Sequence, residues 1–487
     1  MQTEHSCAAL DPAICEQARL TRDARFDGLF FTAVKTTGIY CRPVCPAPTP
    51  KASNISYYPS AAAAAAAGFR PCLRCRPEAA PGSPLHHASS ELVKGALRLI
   101  EQGALDGQSV SDFAARVGVG ERQLRRLFDQ ELGASPLDVA ATRRLLFAKQ
   151  LLADTRLPIT AIAGAAGYAS LRRFNAAFVD AYKKPPRDFR RGSSRGKTDN
   201  AIELRLPYRA PYDFAGLLAF YERRTIAGVE SVNEHGYRRS FVIDDEPGWF
   251  SVSPISGDSA LRLSVHGVRP LQLGHLVSRV RRMFDVDADP VTIMQTLQRD
   301  RRLRPLAKRW PGQRLPGAWD GFELGVRAVL GQQISVAAAR TLAARIVKRF
   351  GTSHPSAEEV GLGGLFPTPT ALADAPLESI GVTRARAATI RSLAQACVDG
   401  RVDFSAQQTL EETVTRLCSL RGIGAWTAHY IAMRAHSHPD AFPAGDLVLR
   451  KIAGDGTAIN ESAMQALAEA WRPWRAYAVM LLWRSAG

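Results

Sequence analysis

The sequence predicts a multidomain chain. A small α+β unit built on a cysteine cluster comes first, then an all-α unit, a second α+β unit and a closing all-α unit. Three observations predict this. The 487 residues suit about three or four domains at roughly 100–200 residues each. Six of the eight cysteines fall within residues 1–80. Apolar periodicity then changes twice: helical over 91–191, alternating over 201–268, and helical again after about 271.

Composition narrows the function. Hydrophobic residues are 46% and charged residues 22%, a globular balance. The net charge of +17 points to an anionic partner, either nucleic acid or an acidic membrane surface. The excess is spread, +10 over residues 1–200 and +7 over the rest, which excludes a single basic tail on a neutral enzyme. No run of about 18 apolar residues occurs, so no membrane span is expected. Met1 to Ala13 carries Glu4, His5 and Asp11 and lacks the apolar core of a secretory signal. Eight cysteines are too sparse for a disulfide scaffold in a chain this long.

The first unit, 1–80, holds Cys41-Arg-Pro-Val-Cys45 and Cys72-Leu-Arg-Cys75, separated by 26 residues. Two close cysteine pairs suit one tetrahedral zinc ion, Cys41, Cys45, Cys72 and Cys75 being the ligands; two disulfides are the alternative. Cys7 and Cys15 lack such partners. The run Ala61–Ala67 reads as a short helix ended by Gly68. The strings Asp23-Ala-Arg-Phe-Asp-Gly-Leu-Phe30, Thr36-Thr-Gly-Ile-Tyr40 before Cys41, and Gly68-Phe-Arg-Pro71 before Cys72 closely resemble the N-terminal domain of the Ada methylation-response proteins over residues 15–78. The resemblance implies that Cys41 irreversibly accepts a methyl group from a DNA phosphotriester. It also makes Thr37, Arg70 and Arg74 candidates for backbone contact, although the two arginines equally suit a solvated surface.

A Pro/Gly/Ser-rich linker at about 77–90 leads to the second unit, 91–191. Ser109 to Glu131 reads as a short helix, a turn at Gly118 to Gly120, and a second helix carrying Arg122, Arg125 and Arg126. The pattern recurs about 50 residues on, through Ile159, Gly167 and Leu171-Arg-Arg-Phe-Asn-Ala-Ala-Phe178. With the closing Tyr182-Lys-Lys-Pro-Pro-Arg-Asp-Phe189 this resembles the AraC-type double helix-turn-helix domain. Each second helix suits a major groove, with Arg122, Arg125, Arg172 and Arg173 as contact candidates. An Arg-faced helical bundle is the bland reading. Leu124, Leu127, Phe128, Phe174 and Phe178 are expected in the core.

Past a polar tether at 191–198, Ile202–Leu206 and Ala260–Val265 alternate as strands of a third unit, 201–285. In the fourth, 286–487, Leu420-Arg-Gly-Ile-Gly424 is a tight turn between helices. Its glycines Gly422 and Gly424 allow close backbone approach to a phosphate. Asp446 follows Gly424 by 22 residues in Phe-Pro-Ala-Gly-Asp. This pattern, with Trp319–Gln332 and Trp471–Tyr477, resembles the helix-hairpin-helix DNA glycosylases of the AlkA branch from about 201 to 487. The third unit then corresponds to the α+β domain that precedes the helices in that branch.

The resemblance implies excision of alkylated purines, with Asp446 stabilising an oxocarbenium-like sugar. Trp426, Tyr430 and Trp474 are the candidates for stacking on the base, or else core aromatics; Asp446 can also cap a helix at Leu447. The residue that wedges into the gap left by the flipped base is either Gln333 or Ile334. Ala425–Ala435 contains no lysine, so no lyase step is expected. No Pro-Cys-His-Arg string occurs, so direct alkylguanine reversal is not expected either. Together the resemblances imply a methylation-responsive activator fused to a glycosylase, or a regulator whose glycosylase half has decayed. Expected with it are one zinc ion, a monovalent cation at the hairpin, double-stranded DNA and RNA polymerase as partners, and no membrane. A monomer in the bacterial cytoplasm, associated with the nucleoid, is the expected state.

Overall fold

The computed structural model describes residues 11–82, 90–190, 201–404 and 409–486. Cys7, residues 83–89 of the first linker and the tether at 191–198 lie outside them.

The first unit contains α1 (Pro12–Leu20), β1 (Phe31–Val34), β2 (Ile39–Cys41), β3 (Ile55–Tyr58), α2 (Ala61–Ala66) and β4 (Arg70–Pro71). The sheet order is β3-β1-β2-β4, with β1 antiparallel to both neighbours and β2 parallel to β4. The alanine run forms α2 as the composition predicts. The Ser60 side chain caps its start by accepting from Ala63 N–H, and Gly68 follows it at φ +87. Its small side chains allow close approach to the sheet, Ala64 packing with Phe31, Ala33 and Tyr40.

The helical middle is α3 (Glu91–Glu101), α4 (Val110–Val117), α5 (Glu121–Leu132), α6 (Pro136–Asp154), α7 (Ile159–Ala165) and α8 (Leu171–Tyr182). The pairs α4–α5 and α7–α8 are the two repeats. Gly118 at φ +85 and Gly167 at φ +84 make the same left-handed turn in each. Leu124 and Phe128 of α5, and Phe174 and Phe178 of α8, are buried at matching positions. Long α6 joins the repeats. Its Arg143 and Arg144 both bond Asp106, and a Cβ on Gly167 would lie 2.3 Å from that carboxylate. One acidic side chain thus ties long α6 to the turn of the second repeat.

The third unit is an antiparallel sheet of β5 (Ile202–Pro207), β6 (Glu230–Asn233), β7 (Gly236–Ile243), β8 (Glu246–Pro254) and β9 (Ala260–His266), in the order β5-β9-β8-β7-β6. Helix α9 (Phe214–Glu222) connects its first two strands in sequence. The two stretches read as alternating pair directly, Leu204 opposite Leu263. Helices follow: α10 (Leu273–Met283), α11 (Pro290–Leu297), α12 (Leu303–Arg309), α13 (Gly321–Leu330) and α14 (Val336–Phe350). A hairpin of β10 (Thr352–Ser353) and β11 (Gly364–Leu365) interrupts them. Helical spacing gives no sign of it, because two-residue strands carry no period. It is held from outside, Ser240 Oγ on β7 donating to Gly364 O at 2.6 Å. The chain closes with α15 (Pro369–Ala373), α16 (Arg384–Val398), α17 (Leu410–Cys418), α18 (Ala425–Ala435), α19 (Leu447–Ala453), α20 (Glu461–Ala468) and α21 (Arg475–Ser485).

The units share surfaces. One apolar core runs from Leu151, Ile162 and Phe178 of the helical middle through Leu204 and Val265 of the sheet to Met480 of α21. Gln150 Nε2 donates to Arg205 O at 2.7 Å across the same boundary. Lys149 and Glu78 form a buried ion pair at 2.7 Å between the first unit and α6. Arg209, 3% exposed, donates to the carbonyls of Asp27 at 3.1 Å and Pro81 at 3.2 Å. Among the described residues no helix is long and apolar enough to cross a membrane.

Candidate functional site

The parallel pairing of β2 with β4 assembles the cysteines. Tyr40 stands opposite Pro71, and Cys72 N–H donates to Tyr40 O at 3.0 Å, which brings Cys41 and Cys72 side by side. Short turns return Cys45 and Cys75 to the same place. The four Sγ atoms lie within 4.8 Å of one another. Cys72 and Cys75 are buried, whereas Cys41 and Cys45 are half-buried. Backbone N–H groups point at the sulfurs: Arg42 N to Cys75 Sγ at 3.3 Å and Arg74 N to Cys72 Sγ at 3.4 Å. These donors stabilise thiolates. Four sulfurs packed this closely cannot all ionise without a counter-charge, so the cluster fits a cation at its centre. Four sulfur donors at this spacing fit zinc.

Two residues not singled out in the sequence frame this centre. Arg42, between Cys41 and Cys45, pairs with the Asp27 carboxylate and donates to Cys75 O at 2.9 Å. Asp27 lies inside a string that carries the Ada resemblance, but spacing alone cannot show the pairing. Of the backbone-contact candidates, Thr37 is exposed in the β1–β2 turn, Arg74 is exposed and Arg70 is half-buried.

On the helical repeats, Arg122, Arg125, Arg172 and Arg173 are all exposed. Arg125 also pairs with Glu121 at 2.8 Å, one turn back on α5. The other three have no ion pair among the described residues.

The second site gathers at the N-terminus of α18. The turn between α17 and α18 holds Gly422 at φ +90, and a Cβ there would lie 2.0 Å from Thr389 Oγ1. Gly424 faces open space. The turn between α13 and α14 docks beside it, Gln332 Nε2 donating to Gly422 O at 2.9 Å and to Thr427 Oγ1 at 3.1 Å. At its tip Gln333 is exposed at φ +56, while Ile334 is half-buried.

Trp426 and Tyr430, one turn apart on α18, stack with centroids 5.4 Å apart and planes 6° apart. Asp446 caps α19, its Oδ1 accepting from Leu449 N–H at 3.0 Å. The same carboxylate accepts from Trp426 Nε1 at 2.9 Å and from Trp483 Nε1 at 3.2 Å. Cap and site are therefore one group. Trp483 was not anticipated. Trp474 sits at the start of α21, edge-on to Tyr477 at 5.9 Å, about 13 Å along the helix from Trp483. Its described contacts are with the core rather than with Asp446.

The Tyr430 hydroxyl accepts from Arg434 Nη1 at 2.7 Å. Burial raises its pKa, but Arg434 and then Arg224 outweigh burial and bring the phenol down to about 8. Burial, and then Arg475, lower His429 to about 4, so its neutral Nδ1 accepts from Phe442 N–H at 3.3 Å and supports the loop before Asp446. A lone carboxylate between two indoles, with an aromatic stack beside a phosphate-sized backbone turn, can stabilise a cation but offers no amine nucleophile.

Four family models match the chain: the metal binding domain of Ada over 14–78, a helix-turn-helix domain over 113–192, the AlkA N-terminal domain over 203–320, and the HhH-GPD superfamily of base excision DNA repair proteins over 326–476. A probable bifunctional transcriptional activator/DNA repair enzyme AlkA from Mycobacterium tuberculosis is 40% identical, covering 96% of this chain and 95% of its own. DNA-3-methyladenine glycosylase 2 of Escherichia coli is 32% identical over 58% of this chain and 97% of its own. Among solved structures, a 3-methyladenine DNA glycosylase from Archaeoglobus fulgidus shares the fold at TM-score 0.50 and 22% identity, over 57% of this chain and 96% of that one.

Proposed function

The chain belongs to the family of bifunctional transcriptional activator/DNA repair enzymes AlkA, and on that premise we propose that it both senses and repairs alkylated DNA. The units 1–80, 91–191, 201–285 and 286–487 divide the work: methyl acceptance, promoter binding, and excision by the last two together. What carries the reading is that one chain holds both a four-sulfur centre and a carboxylate gripped by two indoles beside a backbone hairpin.

At the first site Cys41, Cys45, Cys72 and Cys75 would hold zinc, whose charge keeps the sulfurs as thiolates at neutral pH. Half-buried Cys41 is one of the two reachable sulfurs and, following the Ada resemblance, is the acceptor. Its sulfur attacks the methyl carbon of a phosphotriester. An S–C bond forms, the C–O bond breaks, and a phosphodiester anion leaves. Thr37, Arg70 and Arg74 position the DNA backbone. Four thiolates on a divalent cation carry a net charge of about −2, and methylation removes one unit. Repulsion from phosphate then falls by roughly 1 kcal/mol, about fivefold in affinity. Arg122, Arg125, Arg172 and Arg173 convert that gain into promoter occupancy, with RNA polymerase as the partner recruited.

At the second site the hairpin at Gly422 and Gly424 holds the duplex backbone, with a monovalent cation as its companion, and Gln333 fills the gap left by the flipped base. Trp426 and Tyr430 receive the cationic purine, with Trp483 in the place expected of Trp474. Asp446 stabilises the sugar cation as the N-glycosidic bond breaks, and water completes the reaction. Without a lysine on α18, no covalent DNA adduct forms. The protein acts as a monomer in the bacterial cytoplasm, at the nucleoid.

The deciding experiment exposes the zinc-loaded chain to methylated duplex DNA and follows two readouts. The Cys41 peptide should gain one methyl group, and free 3-methyladenine should appear. An unmodified Cys41 peptide refutes the sensor; no released base refutes the enzyme.

A further inference from the structure

The base pocket sets two cations beside a site meant for a cation. This inference rests on the excision reading above, in which the substrate base is positively charged. Arg434, 4% exposed, donates from Nη1 to Tyr430 Oη at 2.7 Å, and its other N–H groups go to the carbonyls of Pro316 at 3.0 Å and Gly317 at 3.3 Å. Arg224 reaches the same phenol from beyond α9. Its guanidinium lies 3.8 Å over the Phe220 ring, on which Arg434 also rests at 4.8 Å. Neither arginine has a carboxylate partner among the described residues. A third cation near the phenol, Arg327 on α13, is balanced by Glu230 at 3.0 Å and Glu323 at 2.9 Å. Trp426 and Trp483, whose indoles hold Asp446, also pack against the Tyr430 ring.

A cationic purine laid on Tyr430 would be repelled by Arg434 and Arg224 if the phenol were neutral. Stacking cannot offset two unpaired charges in a site of reduced dielectric. We propose that Tyr430 is the specificity-determining residue of this pocket. Arg434 and Arg224 favour its phenolate form, and the negative charge, growing as pH rises through the phenol's titration, selects cationic purines over neutral ones. The phenol proton leaves to solvent, and no other bond changes. The two arginines act through Tyr430 and are positioning residues. The downward direction of the Tyr430 titration, to about 8 despite burial, agrees with this geometry.

The test uses the full chain and begins without substrate. Near-ultraviolet difference absorbance should show one tyrosine ionising near pH 8. That step should vanish in Tyr430→Phe, move up toward the ordinary value of about 10 in Arg434→Met, and return in part in Arg434→Lys. Because no excision is needed, this arm stands apart from the fate of the enzymatic reading. The second arm compares release of cationic 3-methyladenine with release of neutral hypoxanthine. The ratio should rise about tenfold as pH passes through the phenol's titration, and should stay flat in Tyr430→Phe. Should Arg434→Met not fold, Tyr430→Phe, which keeps the ring, decides alone. A native chain with no tyrosine ionising below about pH 9 overturns the proposal. So does a Tyr430→Phe chain that keeps either the low titration or the pH-dependent ratio.

Discussion

Both oxygens of Asp446 are engaged before any substrate arrives: one takes the Trp426 indole, the other the Trp483 indole and the Leu449 N–H. An amide cannot copy this, because it has one acceptor oxygen and would turn an N–H toward an indole N–H. Asp446→Asn should therefore lose base release by at least about 1000-fold while DNA binding persists, as measured by single-turnover excision beside an equilibrium titration. Trp483→Phe keeps one six-membered aromatic ring and removes the indole donor to a charged group, so excision should fall about 10- to 100-fold. Unchanged excision in that variant would remove Trp483 from the site. Asp446 and Trp426 were legible in the sequence through the glycosylase resemblance, and their hydrogen bond, 20 residues apart, is what the structure adds. Trp483 was not, because 37 residues separate it from Asp446. Choosing between Trp474 and Trp483 depends on which end of α21 meets the pocket, and sequence spacing does not hold that fact.

At the scale of elements, the two hairpin glycines do different work. Gly422 needs its positive φ and its missing Cβ, which would run into Thr389 on α16. Gly422→Ala should cost about 3 kcal/mol of stability, seen as a lower thermal unfolding midpoint. Gly424 faces open space, so Gly424→Ala should fold normally and lose affinity for duplex DNA instead. If both variants fold alike, the distinction between support and contact is wrong. The helical repeats allow a parallel test. Arg173 on α8 is unpaired among the described residues, whereas Arg125 already pairs with Glu121. Arg173→Ala should lower the salt dependence of promoter binding by about 0.9 in log–log slope, and Arg125→Ala by less. The helix-turn-helix repeat was readable because glycine turns and apolar spacing agree in both copies. The β10–β11 hairpin was not, because its support comes from Ser240 on a distant strand.

Across the whole molecule, composition and motif order gave the succession of units, but not how they lean on one another. Local pattern reports periodicity within an element, whereas the Lys149–Glu78 pair joins residues 71 apart. Both side chains are nearly inaccessible, at 6% and 1%. Lys149→Met leaves Glu78 with Arg76 alone and should cost about 3 kcal/mol, lowering the unfolding midpoint of the full chain. No shift would mean that the first unit rests on α6 without relying on that pair. The apolar core that runs from Ile162 and Phe178 through Leu204 to Met480 reaches across the tether at 191–198. Its consequence is hereditary as much as mechanical. A gene split at the tether would give two products, each with half of a shared oily seam turned toward water. Such a split would expose that seam to aggregation before either activity was lost.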